Sequence, residues 1–488
     1  MKSMKLRLVS IVIMLSALMC GNVNADNVDL QKAKQIGAYF FNVATGTKAP
    51  VSADKLELVQ QFDNPTLCIP ALYAFNVADN GFVVVSASNA TEPILAYSPE
   101  GSLENINPAC RYMLESYAKL ISENQNADAT PTAQVKGMWD QLIDHTFTCD
   151  LESKAVLIKS KWGQGDPDAP SYNIFCPQIN GKPCLVGCVA TAMSMIIHYW
   201  KYPIKGGNEN NSTASTSWNN QNIRYKFAVD SNKFVFDSMP NQINERSEWN
   251  YKRACGKLSF ACGVTVKMGW GLTGSGALSQ SVPEAFYKWF KYSTEAKHIQ
   301  RSSYTDAQWL DILHTELDSN SRPVYYSASD PDPAHTGSDA AGHAFVIAGS
   351  NNSSQSKFYI RWGWDGGADG FYTLAPASSI QMSAGYTFTA NHAMVYKIHP
   401  KEGDPVGIEE NTAFTASPAY PNPATDHIMI PVDMTLNAYL SIYTIDGKLV
   451  DKVIVPAGTK EYRLNLQGYT PGNYIYRVNG SAVKFTVL

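Results

Sequence analysis

Cys188 is the residue around which chemistry is most readily built in this chain. It stands in Gly187-Cys188-Val189-Ala190-Thr191-Ala192-Met193, and the run from Ser194 to Lys201 that follows is apolar on nearly every side until Pro203. That pattern predicts a helix buried in the middle of a domain, opening at or beside Cys188. Free backbone N–H groups and the positive end of the dipole would then face the sulfur. Such a setting lowers a thiol's pKa and makes the thiolate available as a nucleophile. The default for a buried cysteine is a small apolar core residue, so the chemical reading depends on partners elsewhere. The loop before it, Asn180-Gly181-Lys182-Pro183-Cys184, argues against regular structure through its Asn-Gly and Pro.

The first partner is His343, in Ala341-Gly342-His343-Ala344-Phe345-Val346-Ile347-Ala348-Gly349. After the polar turn Asn351 to Ser354 comes Lys357-Phe358-Tyr359-Ile360-Arg361-Trp362-Gly363-Trp364, and the two runs read as antiparallel strands. A turn centred near Asn352 would set His343 across from about Arg361, so position 361 or its neighbours would orient the imidazole. Trp362 and Trp364 would shield it from water. The second partner is Gln164, in the glycine-flanked loop Trp162-Gly163-Gln164-Gly165-Asp166-Pro167. Its side-chain amide and the Cys188 N–H would form an oxyanion hole for acyl transfer. Each residue alone is ordinary; the order Gln, Cys, His, aromatic-Gly-aromatic is specific. His198 lies inside the buried run and reads as a hydrogen-bonded core residue. The other seven histidines read as structural or surface groups.

These residues need a scaffold, and the chain divides into several units. A basic start (Lys2, Lys5, Arg7), the apolar run Leu8 to Met19 and Val23-Asn24-Ala25 read as an export signal over 1–25. Cys20 offers a lipoprotein alternative, against which bulky Met19 speaks. Residues 26–130 form a first unit: a helix from Leu30, a hairpin of Ala71 to Val77 with Phe82 to Ser86, a strand Ile94 to Ser98 and a helix from Tyr112. The polar stretch Ala127 to Thr132 is an exposed connector. A mixed unit over 131–400 follows, with 131–157 as its connector. A linker at 401–417 leads to 418–488, where five short strands between Gly-containing turns describe a small all-β sandwich. The fold class expected is α+β.

With 39 basic and 43 acidic residues, no nucleic-acid or strong membrane-surface field is implied. No later segment holds about 18 consecutive apolar residues, so no span is expected in the mature chain. Eight cysteines follow the signal; their spacings match no zinc pattern, and no metal or cofactor is expected. Cys176 with Cys184, and Cys255 with Cys262, are open as disulfide pairs in an oxidising compartment.

Gly187-Cys188-Val189-Ala190-Thr191-Ala192 followed by Tyr199-Trp200-Lys201-Tyr202-Pro203 resembles the nucleophile segment of the streptopain family of secreted cysteine peptidases. Gly342-His343-Ala344-Phe345-Val346, with Trp362-Gly363-Trp364-Asp365-Gly366-Gly367 and Asp369-Gly370-Phe371-Tyr372, resembles its histidine segment. Trp162-Gly163-Gln164 is similar to its oxyanion segment, and 26–130 to its inhibitory propeptide. The resemblance implies a papain-like two-lobed peptidase domain, activation by proteolytic loss of the propeptide, and preference for a hydrophobic residue just before the scissile one. It also implies that Gly274-Ser275-Gly276, within Gly271 to Ala277, borders the substrate cleft. The family usually carries Asn directly before Trp-Gly-aromatic; this chain carries Arg361, which has no acceptor for an imidazole N–H. Either Arg361 points away and another group, conceivably Asp365, orients His343, or the chain is an inactive surface-binding homologue. A transglutaminase-like acyl transferase would use the same residues. The C-terminal unit, through Tyr420-Pro421-Asn422-Pro423, Asp446-Gly447 and Pro471-Gly472-Asn473-Tyr474, resembles type IX sorting domains. Its implied partner is the secretion machinery; the peptidase's partners would be protein substrates and its own propeptide.

Overall fold

The computed structural model describes residues 27–488 except 48, 78–79, 105, 150–155, 204–212, 228–233, 330–341, 352–356, 377–391, 402–417, 433–437, 446–448, 456–457 and 479–480. The expected export signal, the 401–417 linker beyond Lys401, the turn at Asp446-Gly447 and most of the turn at Asn351 to Ser354 fall outside the described residues. The chain forms two units, one ending at Asp404 and one running from Pro405 to Leu488.

The first unit opens with helix α1 (Leu30–Thr45). Asp29 caps it by accepting the Lys32 N–H at 2.8 Å, and Gly46 in the left-handed region ends it. Strands β1 (Leu56–Asn64), β2 (Ile69–Val77), β3 (Phe82–Ser86) and β4 (Ile94–Ser98) form an antiparallel meander. β3 and β4 are buried throughout because both faces are covered. Phe40 and Phe41 of α1 share one apolar cluster with Tyr73, Val83 and Val85. Helix α2 (Pro108–Asn126) places Met113, Leu114 and Tyr117 in a second cluster with Leu72, Val84 and Leu95.

The stretch after Thr132 is more than a connector. Thr132 caps helix α3 (Ala133–Ile143), whose Val135, Trp139 and Leu142 join the α1 cluster; the Trp139 indole N–H donates to the Thr91 carbonyl at 2.8 Å. The unit begun at residue 27 is therefore packed as far as Phe147. An apolar face at helical spacing is reason enough for that docking.

A tiny hairpin of β5 (Gln178–Ile179) and β6 (Lys182–Pro183) precedes helix α4 (Cys188–Trp200). This corrects the expectation of irregular chain at Asn180-Gly181. Both residues take positive φ, 52° and 78°, as a two-residue hairpin turn requires. Hairpin β7 (Thr213–Trp218) with β8 (Gln221–Lys226), helix α5 (Trp249–Thr265) and helix α6 (Val282–Phe290) complete a helical lobe. Its core surrounds α4, nine of whose residues are buried.

The other lobe is a sheet: β9 (Lys297–Gln300), then helix α7 (Asp306–His314), β10 (Val324–Ser329), β11 (Gly342–Ser350), β12 (Phe358–Arg361), β13 (Gly370–Tyr372) and β14 (Ala393–Tyr396). The order β1-β2-β3-β4-β13-β12-β11-β10-β14-β9 makes one ten-stranded sheet out of the N-terminal meander and this lobe. The seam is β4 against β13, with Tyr97 opposite Phe371 and Ala96 opposite Tyr372. A fully buried cluster crosses the same seam: the Lys357 amine donates to Glu92 and to Thr373 Oγ1, each at 3.2 Å, and Thr373 also donates to Glu92.

In the second unit β15 (His427–Pro431) pairs with β18 (Glu461–Asn465). β16 (Ala438–Thr444), β17 (Leu449–Val455), β19 (Gly472–Val478) and β20 (Ser481–Val487) form a sheet in the order β17-β16-β19-β20. Ile428, Leu440, Leu464, Tyr476 and Phe485 share one core, as a sandwich demands. β20 is a strand beyond the five expected. Among the described residues no helix is long and apolar enough to cross a membrane.

Candidate active site

Helix α4 begins at Cys188 because Gly187 breaks the chain into it, with φ 87° and ψ 140°. A Cβ at Gly187 would also lie 2.7 Å from the Met268 methyl and 2.9 Å from the Ser275 carbonyl, so only glycine fits. Cys188 is half-buried. Burial pushes its thiol up, while the backbone amides of Ala344, Val189 and Cys188 itself reach the sulfur and oppose the shift. The Ala344 contact sets the sulfur beside β11, one residue from His343, where α4 packs across that strand.

His343 lies opposite Ala328 of β10. It does not face Arg361: the ladder sets Arg361 opposite Val346, with a bulge between Ile347 and Gly349. Continued past the end of β12, the same register brings position 364 toward His343, and the two rings lie 6.0 Å apart. The nitrogen Nε2 of His343 lies 2.7 Å from the Trp362 carbonyl oxygen. A carbonyl only accepts, so Nε2 carries the proton and Nδ1 is left bare as an acceptor. The indole N–H of Trp364 also points at Nε2, at 3.3 Å; the shorter carbonyl contact decides the tautomer. Burial drives the imidazole pKa down to about 4, and the Trp362 bond opposes that.

Arg361 points away, so its expected orienting role passes to the Trp362 backbone. Its Nη1 donates to Asp369 at 2.9 Å and its Nε to the Ile158 carbonyl at 3.1 Å. Trp362 is buried and Trp364 is 38% exposed, so only the former is a wall and the latter a rim. Asp365 is not at the imidazole either; its carboxylate rests on Gly163, where an added Cβ would meet it at 2.3–2.6 Å. Asp365 is an exposed residue whose carboxylate end is covered by Gly163; that local cover raises the carboxyl to about 6, with Asp369 adding to the shift.

Gln164 is brought close to Cys188 by its backbone: its carbonyl accepts the Val186 N–H at 2.9 Å, two residues before the cysteine. The Gly274-Ser275-Gly276 stretch reaches the same entry. Ser275 is buried and donates to the Leu185 carbonyl at 2.8 Å, so it is a fastener, whereas Gly274 and Gly276 face open space. Sequence reasoning missed Asp369, Leu185 and the Trp362 carbonyl. The last two act through backbone atoms and carry no residue-type signal.

His198 is a core residue, hydrogen-bonded to the Met239 carbonyl at 2.9 Å and lying 4.7 Å from the Trp162 ring. The eight cysteines of the described residues are free thiols. Cys255 and Cys262 stand two turns apart on α5, about 10 Å along its axis, beyond the reach of a disulfide. Among the described residues no cluster of His, Cys, Asp and Glu suits a metal ion.

The model of the peptidase C10 family matches residues 162–372, which contain Gln164, Cys188, His343 and Trp362. The chain carries a C10 cysteine peptidase domain. The Spi protease inhibitor family matches 25–121, so the peptidase is preceded by an inhibitor-type propeptide domain, and a secretion system C-terminal sorting domain matches 418–487. The sorting domain marks this peptidase for type IX export. Streptopain from Streptococcus pyogenes is 28% identical over 392 residues, covering 76% of this chain and 92% of streptopain. The thiol protease/hemagglutinin PrtT of Porphyromonas gingivalis is 25% identical over 455 residues, covering 90% of this chain and 49% of PrtT. A fragment of prointerpain A from Prevotella intermedia superposes with a TM-score of 0.54 at 24% identity, over 71% of this chain and 99% of the fragment. That likeness speaks for the fold: propeptide and papain-like peptidase in one architecture.

Proposed function

We propose that the chain is a zymogenic endopeptidase in which Cys188 and His343 are the reacting pair. His343 Nδ1 takes the thiol proton as the sulfur attacks the scissile carbonyl, then gives it to the leaving amine. The Gln164 amide and the Cys188 N–H hold the oxyanion, and water hydrolyses the thioester. The observation that carries this reading is the 2.7 Å contact of His343 Nε2 with the Trp362 carbonyl. It supplies the acceptor that Arg361 lacks and supports the tautomer a general base needs. Burial favours a neutral thiol and a neutral imidazole, so on this reading the proton moves as the carbon–sulfur bond forms. Protein substrates and a bound propeptide are the partners, and the propeptide leaves by self-cleavage at the Ala127 to Thr132 stretch or near Lys154. Lys154 lies outside the described residues.

Purified Cys188→Ala protein is expected to remain full length while the parent matures. Maturation of the variant alone at the parental rate would sink the reading. An epoxide inhibitor is expected to label Cys188 once the propeptide is gone; absence of labelling would favour the inactive surface-binding homologue instead.

A further inference from the structure

Arg361 is where the chain departs from the pattern it otherwise resembles, and its guanidinium is 4% exposed. A charge in that position needs a reason, because desolvating an ion pair commonly costs as much as the pair returns. Its partner Asp369 is 3% exposed, and burial pushes that carboxyl up while Arg361 opposes the rise. One oxygen of Asp369 accepts from Arg361 Nη1, and the other accepts the Trp362 N–H at 2.8 Å. The neighbouring Ala368 carbonyl accepts the Trp362 indole N–H at 3.0 Å. Trp362 is thus held at its amide and at its ring from one turn of chain, and its carbonyl aims at His343. An apolar pair would fill the same volume without the cost of desolvating two charges, but would offer the Trp362 N–H nothing.

We propose that Asp369, neutralised by Arg361, is a positioning residue: it holds the Trp362 backbone so that its carbonyl keeps His343 Nε2 protonated and Nδ1 free. The arrangement rests on the reading of Cys188 and His343 as the reacting pair. Arg361 then replaces the function of a side-chain acceptor indirectly, by stabilising the charge that anchors a backbone acceptor.

Two charge-free double variants separate positioning from packing. Arg361→Met with Asp369→Leu removes the acceptor; Arg361→Gln with Asp369→Asn keeps an oxygen for the Trp362 N–H. Both are compared with the parent for melting temperature, for kcat and KM on a peptide substrate, and for the Nε2 proton resonance of His343 in histidine-labelled full-length protein. The apolar pair is expected to fold, to lose kcat by about 100-fold at nearly constant KM, and to lose the resonance. The polar pair is expected to recover most of that loss and to keep the resonance. An apolar pair as fast as the polar pair overturns the proposal. Should the apolar pair not fold, the polar pair decides alone: retained turnover and resonance uphold it, and a folded protein slowed by about 100-fold overturns it. Turnover surviving in Cys188→Ala or His343→Ala would instead sink the underlying reading, whatever the pair does.

Discussion

The carbonyl oxygen of Trp362 lies 2.7 Å from His343 Nε2, so a backbone group orients the imidazole. On the proposed reading of Cys188 and His343 as the reacting pair, a side-chain acceptor at position 361 is unnecessary. Arg361→Asn, the change that would restore the usual family residue, is expected to give no gain in turnover. It strips the buried Asp369 carboxylate of its cation, which costs about 3–5 kcal/mol. Thermal melting and steady-state kinetics check this together; a faster enzyme with parental stability would contradict it.

Gln164 is tied to the chain just before Cys188 through the Val186 N–H. If its amide serves the oxyanion, Gln164→Ala lowers kcat by about 100- to 1,000-fold and leaves KM nearly unchanged. Alkylation of Cys188 by a small haloacetamide develops no oxyanion, so its rate should stay parental. Equal losses in both assays would mean that the substitution disturbs the thiol itself.

The Lys357 amine is fully buried at the seam between β4 and β13, paired with Glu92 of the propeptide domain. Burial pulls its pKa down and Glu92 opposes that. Glu92→Gln removes the counter-charge from one side of the seam, and breaking such a pair costs about 3–5 kcal/mol. Full-length protein carrying it is expected to mature at least about tenfold faster, followed as loss of the full-length band. An unchanged rate would show that the cluster adds nothing to latency.

Acid should destabilise the first unit. Burial lowers His198 and His343 from 6.5 to about 4 and His392 to about 3. A depressed folded pKa means that below pH 6.5 the unfolded chain takes up protons the folded chain refuses. Stability is full above about 6.5 and drains as pH falls toward 4. Asp365, raised to about 6, works the other way, since its folded form binds a proton more readily than its unfolded form. Asp369, which burial also raises, acts with Asp365. His298, lowered by burial, and Glu100, which burial raises but Lys161 holds down, act with the three histidines. The lowered groups outnumber the raised ones, so a net loss is expected. Melting temperature against pH reads it, and His392→Gln should flatten the slope.

Much of the site was legible from residue types. An apolar run behind a glycine and a cysteine reads as a buried helix with its thiol at the start, and α4 begins at Cys188. The His343 run is continuously apolar from Ala344 to Ala348, as a strand buried on both faces is, and β11 carries it. The β-rich tail and, in the first unit, the hairpin of β2 with β3 and the strand β4 were likewise written in turn residues and periodicity, whereas β1 was not foreseen. Local preference and burial are properties of neighbours in sequence, so a sequence displays them.

What only the tertiary structure decided lies between distant residues. Ladder register is one case: Ser350 pairs with Phe358, so the ladder is centred two residues beyond the expected Asn352. Even with the one-residue shift of the bulge after Ile347, Arg361 lies opposite Val346 rather than His343. The seam of β4 on β13 is another, since any edge strand offers the same backbone groups and only packing selects the partner. The acceptor for His343 is the third. It is a carbonyl, which every residue possesses, and its direction was settled by Asp369, Ala368 and Arg361 closing around Trp362.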